Sequence, residues 1–337
     1  MLIADFVPSQ NEQQKMSVHI IDKKNDFSDF LVSLYPGRHF VYIIDSKIKL
    51  FHTDFAYNID NTPIFAGERS KSVIGMMDVQ NMIMNSEIID PVIVVVGGGT
   101  VLDTCGFAFG TYKRKLDVVF VPTTLSAQIE GFFRNEVYLN FDRVKDAMKV
   151  KFQPNHLVNI TEFTKTQLIE EKELSMVHAI AFGLSHSKKF FDMIDKILDS
   201  ELMSNYEVIS HVIFESLRMK ANSNWEIVGE ESSRALMSAS QLNMPYLVAT
   251  YYGVMIESFV SHKLGFISED EMDKIHSILK KCSNVHFDLS SAVDQISSYE
   301  EPLKMKLPVK IGKTMDYQIF PGFLTEMIYS AHSKGLI

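Results

Sequence analysis

Cysteine is scarce: the 337 residues contain two, Cys105 and Cys282, far apart and without a CxxC spacing. That excludes a disulfide framework and a thiolate zinc site, and it fits a reducing compartment. Long apolar runs are missing too. No stretch approaches the roughly 20 residues of a membrane helix, and the first residues, MLIADFVPSQNEQQK, lack the basic-then-apolar layout of a secretory signal. The expected location is the cytoplasm. Positive charge is outweighed, with 33 Lys and Arg against 42 Asp and Glu and a formal net charge of -9, which argues against nucleic acid because such a partner needs clustered bases. No internal repeat interrupts the chain. What is present is a composition 46% hydrophobic and 22% charged, enough to bury the cores of two ordinary domains in an enzyme-sized globular protein.

The first half alternates two periodicities. MSVHII, HFVYIID, PVIVVVGGG and DVVFVPTT have the length and composition of buried parallel strands, whereas SKSVIGMMDVQNMIMN and TVLDTCGFAFGTY repeat apolar residues at helical intervals. This alternation predicts a Rossmann-like α/β nucleotide-binding domain. Beyond KFQPNHL the long segments from Thr164 to Cys282 all have helical spacing. An all-helical second domain is expected, with the boundary at Pro154, giving domains 1–154 and 155–337.

A strand ending in Gly97-Gly98-Gly99 and opening a helix seats a pyrophosphate, because backbone N–H groups and the positive helix end face the anion with no Cβ to hold it off. Asp45 closes the strand VYIID, where a carboxylate can accept ribose or adenine hydrogen bonds, and GERSK places Glu68 and Lys71 ahead of the next helix. VVVGGGTVLDTCGF, YKR and VPTTLSAQIE occur in the order and spacing of the 3-dehydroquinate synthase family of sugar-phosphate cyclases, which the chain resembles from Asp45 through KLGFISEDE. The resemblance implies NAD held by Asp45, Glu68, Lys71, Gly97, Gly98, Gly99, Asp103, Thr123, Thr124 and Leu125. It also implies an active-site cleft between the two domains and a homodimer.

By the same resemblance, the chemistry oxidises a hydroxyl with bound NAD, eliminates phosphate, re-reduces the ketone and closes a carbocycle by aldol addition. A divalent metal such as Zn or Co polarises a substrate oxygen, held by one Glu and two His. Here MVHAIAFG puts His178 at the Glu position and Ala181 where the family has Lys. SASQL puts Gln241 at the first His, and Tyr246 falls at the second. One imidazole, an amide and a phenol are a poor set for zinc, with His186 a further imidazole two turns on.

The substrate loop is rewritten as well. IEGFFRNEV carries Glu130 at the family's Asp and Glu136 at its Lys, with Phe132 and Phe133 adding bulk and Arg134 a possible compensating base. Arg114, Lys145, Lys220 and Arg234 match the family's bases for substrate phosphate and carboxylate, while Asp146 replaces its Asn. The expected catalytic set is Lys220, Arg234, Lys145, Arg114, Glu130 and His178, acting on a phosphorylated sugar-like substrate. The expected function is a diverged, NAD-dependent cyclase with altered or absent metal dependence. Two alternatives stand beside it: a catalytically silent homologue with a binding, assembly or regulatory role, and an iron-type alcohol or glycerol dehydrogenase. The latter is suggested by VHAIA and opposed by Leu174 where that class needs Asp.

Overall fold

In chain order the strands are β1 (Leu2–Phe6), β2 (Ser17–Ile21), β3 (Phe40–Asp45), β4 (Asn61–Ile64), β5 (Val92–Gly97), β6 (Asp117–Pro122), β7 (Val137–Phe141), β8 (Val144–Val150), β9 (His156–Ile160), β10 (Leu303–Lys310) and β11 (Lys313–Ile319). The structure, a computed structural model, describes residues 2–6, 16–57, 61–199, 202–221, 226–283 and 285–337. The chain divides into two units. The first comprises Met1–Asp142, Asp146–Gln167 and Ile209–Ser223, and the second Arg143–Lys145, Leu168–Val208 and Asn224–Ile337.

The first unit is built on a seven-stranded sheet in the order β1, β2, β9, β6, β5, β3, β4. β1 runs antiparallel to β2, and the other neighbours are parallel. Every residue of β5 is buried, as its unbroken VIVVV run demands of a strand covered on both faces. The chain passes from β3 outward to β4 and then returns to β5 on the other side of β3. The carboxyl ends of β3 and β5, at Asp45 and Gly97, therefore flank the strand-order reversal where open α/β sheets receive ligands. The expected boundary at Pro154 falls inside this unit, because β9 lies beyond it and pairs with both β2 and β6.

The second unit is helical, with the antiparallel hairpin of β10 and β11 added. Its centre is the helix Tyr246–Lys263, buried continuously from Ala249 to Ser261. The helix Glu230–Ala239 crosses it so closely that a Cβ on Gly253 would stand 2.1 Å from the carbonyl oxygen of Gly229. Backbone cannot retreat as a flexible side chain can, so glycine is required there. No helix among the described residues is long and apolar enough to cross a membrane.

Gly253→Ala is expected to destabilise the protein by at least about 2 kcal/mol through overpacking, read as a fall in the denaturation midpoint at unchanged secondary-structure content.

Candidate active site

The glycine turn sits as the sequence predicts. β5 ends at Gly97, Gly98 is the N-cap, and the helix Gly99–Gly110 follows. A Cβ on Gly98 would lie 3.2 Å from Thr124 Cγ2, whereas one on Gly99 would meet nothing within 4 Å. The first position is closed by packing and the second opens onto space. Beside it, Thr123 N–H donates to the Gly97 carbonyl at 3.0 Å. Thr124 caps the short helix Leu125–Glu130, its hydroxyl accepting from Ala127 N–H. The N–H of Leu125 donates to Gln167 Oε1 at 2.7 Å, a partner that no motif marks. Asp45 likewise caps a helix, accepting from Lys47 N–H at 2.9 Å. Burial raises its carboxyl above the usual range, against that backbone bond.

Glu68, Lys71 and Asp103, expected as separate cofactor contacts, form one cluster with Asp146, three half-buried carboxylates around a buried lysine. Lys71 is 3% exposed, and its Nζ lies 2.6 Å from Asp103 Oδ2 and 2.7 Å from Asp146 Oδ1. Burial works against the ammonium, but Asp103, Asp146 and Glu68 more than reverse it, so the pKa of Lys71 is raised. Asn140 holds the frame. Its N–H donates to the Lys71 carbonyl, its amide donates to Glu68 Oε2 at 2.8 Å, and its Oδ1 accepts from Asp146 N–H at 2.9 Å. Asp146 keeps a left-handed φ of 54°, which a short Asp tolerates better than most residues. Gly67 N–H donates to Thr100 Oγ1, tying the same loop to the helix of the glycine turn.

The expected substrate bases are distributed differently. Lys220, 5% exposed, donates to the carbonyls of Ile129 and Glu130 at 2.9 and 3.0 Å. It thus lies at the negative end of the helix Leu125–Glu130 and fixes the backbone that carries Glu130. Arg114 is exposed in the turn ahead of β6. That is the opposite end of the sheet from Gly97 and Pro122, which are register partners, so within this chain Arg114 is separated from the glycine turn by the length of a strand. Glu136 is occupied by the Tyr138 hydroxyl at 2.8 Å and by Lys149 at 3.2 Å. Burial raises its pKa, but these two partners outweigh burial and hold its carboxyl below the usual range. Phe132 packs edge-on against Phe120 at 5.2 Å, and Phe133 is buried.

Within the second unit, Arg234 is bound by carboxylates of its own helix, Glu231 at 2.6 Å and Glu230 at 3.0 Å. Lys145, His178 and Tyr246 come together: Lys145 Nζ lies 5.1 Å over the Tyr246 ring, and the buried His178 ring stands 5.4 Å from it. Gln241 accepts from Arg143 through its amide oxygen. His186 Nε2 donates to the Glu226 carbonyl at 2.7 Å. Among the described residues no group of three or more His, Cys, Asp or Glu could hold a metal ion. His178, Gln241 and Tyr246 offer an imidazole, an amide oxygen and a phenol, donor types weaker for Zn2+ than an imidazole and carboxylate set.

One ionisable group lies outside every motif. Glu257 is fully buried and accepts from the N–H groups of Gly229 at 2.6 Å and Ser232 at 3.0 Å, at the start of the helix Glu230–Ala239. Burial pushes its pKa up to about 8 in spite of these bonds. Its signal in the sequence was a lone carboxylate inside YLVATYYGVMIESF.

A Rossmann-like sheet with a glycine turn at its strand-order reversal, followed by a helical unit, defines the fold class of this two-unit protein. The 3-dehydroquinate synthase N-terminal family model matches residues 61–174. A 3-dehydroquinate synthase from Clostridium acetobutylicum is 27% identical over 278 residues, covering 77% of this chain and 78% of that protein. Among solved structures, 2-deoxy-scyllo-inosose synthase complexed with carbaglucose-6-phosphate, NAD+ and Co2+ superposes with a TM-score of 0.83 at 15% identity, covering 97% of this chain and 99% of that one. The 2-epi-5-epi-valiolone synthase from Streptomyces hygroscopicus, with NAD+ and Zn2+ bound, gives 0.80 at 14% with the same coverages. The chain is thus similar to the 3-dehydroquinate synthases and shares the fold of the sugar-phosphate cyclases.

Lys71→Met is expected to cost about 3–5 kcal/mol, because it strands the carboxylates of Asp103 and Asp146. Adding Asp146→Asn should recover part of that loss in the same denaturation measurement. Glu257 predicts a pH dependence. Its folded pKa of about 8 stands above the ordinary 4.5, so its contribution is fully present below about 4.5 and is lost as pH rises toward 8. Glu257→Gln should flatten that part of the stability profile.

Proposed function

We propose that this protein is an NAD-dependent sugar-phosphate cyclase acting on a phosphorylated keto sugar. The observation that carries the reading is the glycine turn, where Gly99 leaves open space at the start of a 12-residue helix, the geometry that admits a pyrophosphate. Gly98, Gly99, Thr123, Thr124 and Leu125 would line the phosphates, Asp45 the ribose, and Glu68, Lys71 and Asp103 the nicotinamide end. Held there, NAD would supply a reversible hydride acceptor for a substrate hydroxyl carbon. Lys220, Lys145 and Arg234 are assigned to the acid groups of the substrate, and Glu130 and His178 to proton transfer; Arg114, a strand's length from the glycine turn, is left out of this assignment. Lys220 also holds the carbonyl of Glu130, so a shift in one moves the other. No step is assigned to a metal. A homodimer belongs to the same reading, and Ile74, Met77 and Met84 along the helix Val73–Met84 offer exposed apolar surface for it.

A second reading, an NAD-binding homologue without turnover, is favoured by one observation. Glu136, which stands where the family has a substrate-binding Lys, is tied to Tyr138 and Lys149.

Calorimetric titration should detect NAD binding to the purified protein. Gly99→Val, which adds side chain into the open space while leaving the fold intact by circular dichroism, should weaken it at least about tenfold, or 1.4 kcal/mol. Absence of NAD binding to the unaltered protein overturns both readings; binding without turnover on heptulose and hexose phosphates selects the second.

A further inference from the structure

One imidazole joins three segments that leave the carboxyl ends of β2, β3 and β9. His52, 4% exposed, ends the helix Ser46–Phe51 that Asp45 begins, its N–H donating to the Ile48 carbonyl at 2.9 Å. Its Nε2 stands 2.9 Å from Thr166 Oγ1 in the turn after β9, and its Nδ1 stands 3.4 Å from Lys24 Nζ in the turn after β2. β6 and β5 separate β3 from β9 in the sheet, so the contact with Thr166 reaches across them. The two turns are also joined directly, because Lys24 N–H donates to Glu162 Oε2 at 2.9 Å. Phe163 lies edge-on to the ring at 4.9 Å.

An ammonium can only donate, so Nδ1 accepts from Lys24 and the single ring proton of the neutral imidazole lies on Nε2. Nε2 then donates to Thr166, whose hydroxyl is left to donate to the Phe163 carbonyl at 3.3 Å. A second proton, on Nδ1, would face the Lys24 ammonium with no acceptor between them. Both contacts therefore hold in one protonation state only. The charged groups facing the ring are Lys24, Asp54 and Glu162. Burial and then Lys24 bring the pKa of His52 below the ordinary 6.5, outweighing Asp54, Glu162 and the Phe163 backbone, which raise it.

Both ends of this tie reach the seat assigned to NAD. On one side, the helix that His52 ends is the one capped by Asp45. On the other, Thr166 precedes Gln167, whose Oε1 accepts from the N–H of Leu125 at 2.7 Å. We propose that His52 is a positioning residue for the cofactor seat: as the neutral imidazole it fixes the Asp45 wall relative to the Leu125 wall, and as the imidazolium it lets them part. The inference rests on the cyclase reading for the identity of the cofactor. Because the pKa is lowered in the folded protein, the tie is fully present above the ordinary 6.5 and is lost as pH falls through the folded value.

Calorimetric titration of NAD into the full-length protein should accordingly show an affinity that falls in acid. His52→Gln supplies one acceptor and one donor that do not titrate, so it should bind NAD as the unaltered protein does at neutral pH and lose that fall. His52→Leu supplies neither and should weaken binding at least about tenfold. Lys24→Met removes the repelling ammonium and should move the fall to higher pH. Burial also raises the Asp45 carboxyl, and an acid fall that His52→Gln leaves unchanged belongs to Asp45 and overturns the proposal. Hydrogen exchange read by mass spectrometry follows the tie without cofactor: residues 46–52 and 161–167 should exchange faster in His52→Leu than in His52→Gln. Where His52→Leu fails to fold, the pH profiles of His52→Gln and Lys24→Met decide. Equal NAD affinity and equal exchange in the two His52 variants overturns the proposal and leaves the cyclase reading standing. An unaltered protein that binds no NAD at any pH sinks the cyclase reading, and the exchange difference then decides the tie by itself.

Discussion

An ammonium cannot be taken out of water without opposite charge close by, and Lys71 is placed where three carboxylates from separate parts of the chain supply it. Glu68 belongs to the loop before the helix Val73–Met84, Asp103 to the helix of the glycine turn, and Asp146 to β8. Each carboxylate would be costly in that setting without the lysine, and the lysine would be costly without them. The loop, the helix and the hairpin are locked to one another as a result. The glycine turn inherits its position from this lock, because Asp103 lies one turn into the helix that Gly98 begins. Asn140 extends the same constraint through the backbone, using its amide on both Glu68 and Asp146.

The second unit solves the same problem by another route. Glu257 is as deeply buried as Lys71, yet it is held by backbone N–H groups at a helix start and by the Ser232 side chain, and no cation is among these partners. Partial charges at a helix terminus stabilise a carboxylate by about 2 kcal/mol at most, which is less than the burial of an ion costs. The outcome is a carboxyl displaced upward to about 8. Lys71 is displaced upward too, and there the direction means a cation more firmly held. Full charge from side chains preserves an ionised group in the interior; helix ends alone leave it close to neutral at physiological pH.

The sequence made the strands of the first sheet legible where apolar runs were unbroken, as in VIVVV and DVVFV, because parallel strands covered on both faces leave no polar positions. It hid β9, since HLVNI is short and follows a proline that reads equally well as a boundary. Hairpins such as β10 and β11 escaped notice because LKMKLPVK carries its turn at Ile311-Gly312, with Gly312 at φ 92°, and none of the stronger Asn-Gly or Asp-Gly signals. Glu68, Lys71 and Asp103 were recognisable one by one from family motifs. Their mutual pairing with Asp146, 75 residues from Lys71, was not, because nothing local records a charge balance completed by a distant strand.

The same limit explains why position-by-position comparison reads the substituted ligand positions as a loss. His178, Gln241 and Tyr246 are judged against the residues they replace, and each is a weaker metal donor than a carboxylate or imidazole set requires. The electrostatic role of a metal site is not confined to its ligand positions. Positive charge can arrive from any segment that the fold brings near, and Arg143 reaches Gln241 across 98 residues. Its left-handed backbone is that of the two-residue turn between β7 and β8, so a hairpin of the first sequence half fixes which residue meets Gln241. What a substituted position can do therefore depends on the neighbours the fold brings to it, and these the sequence does not record.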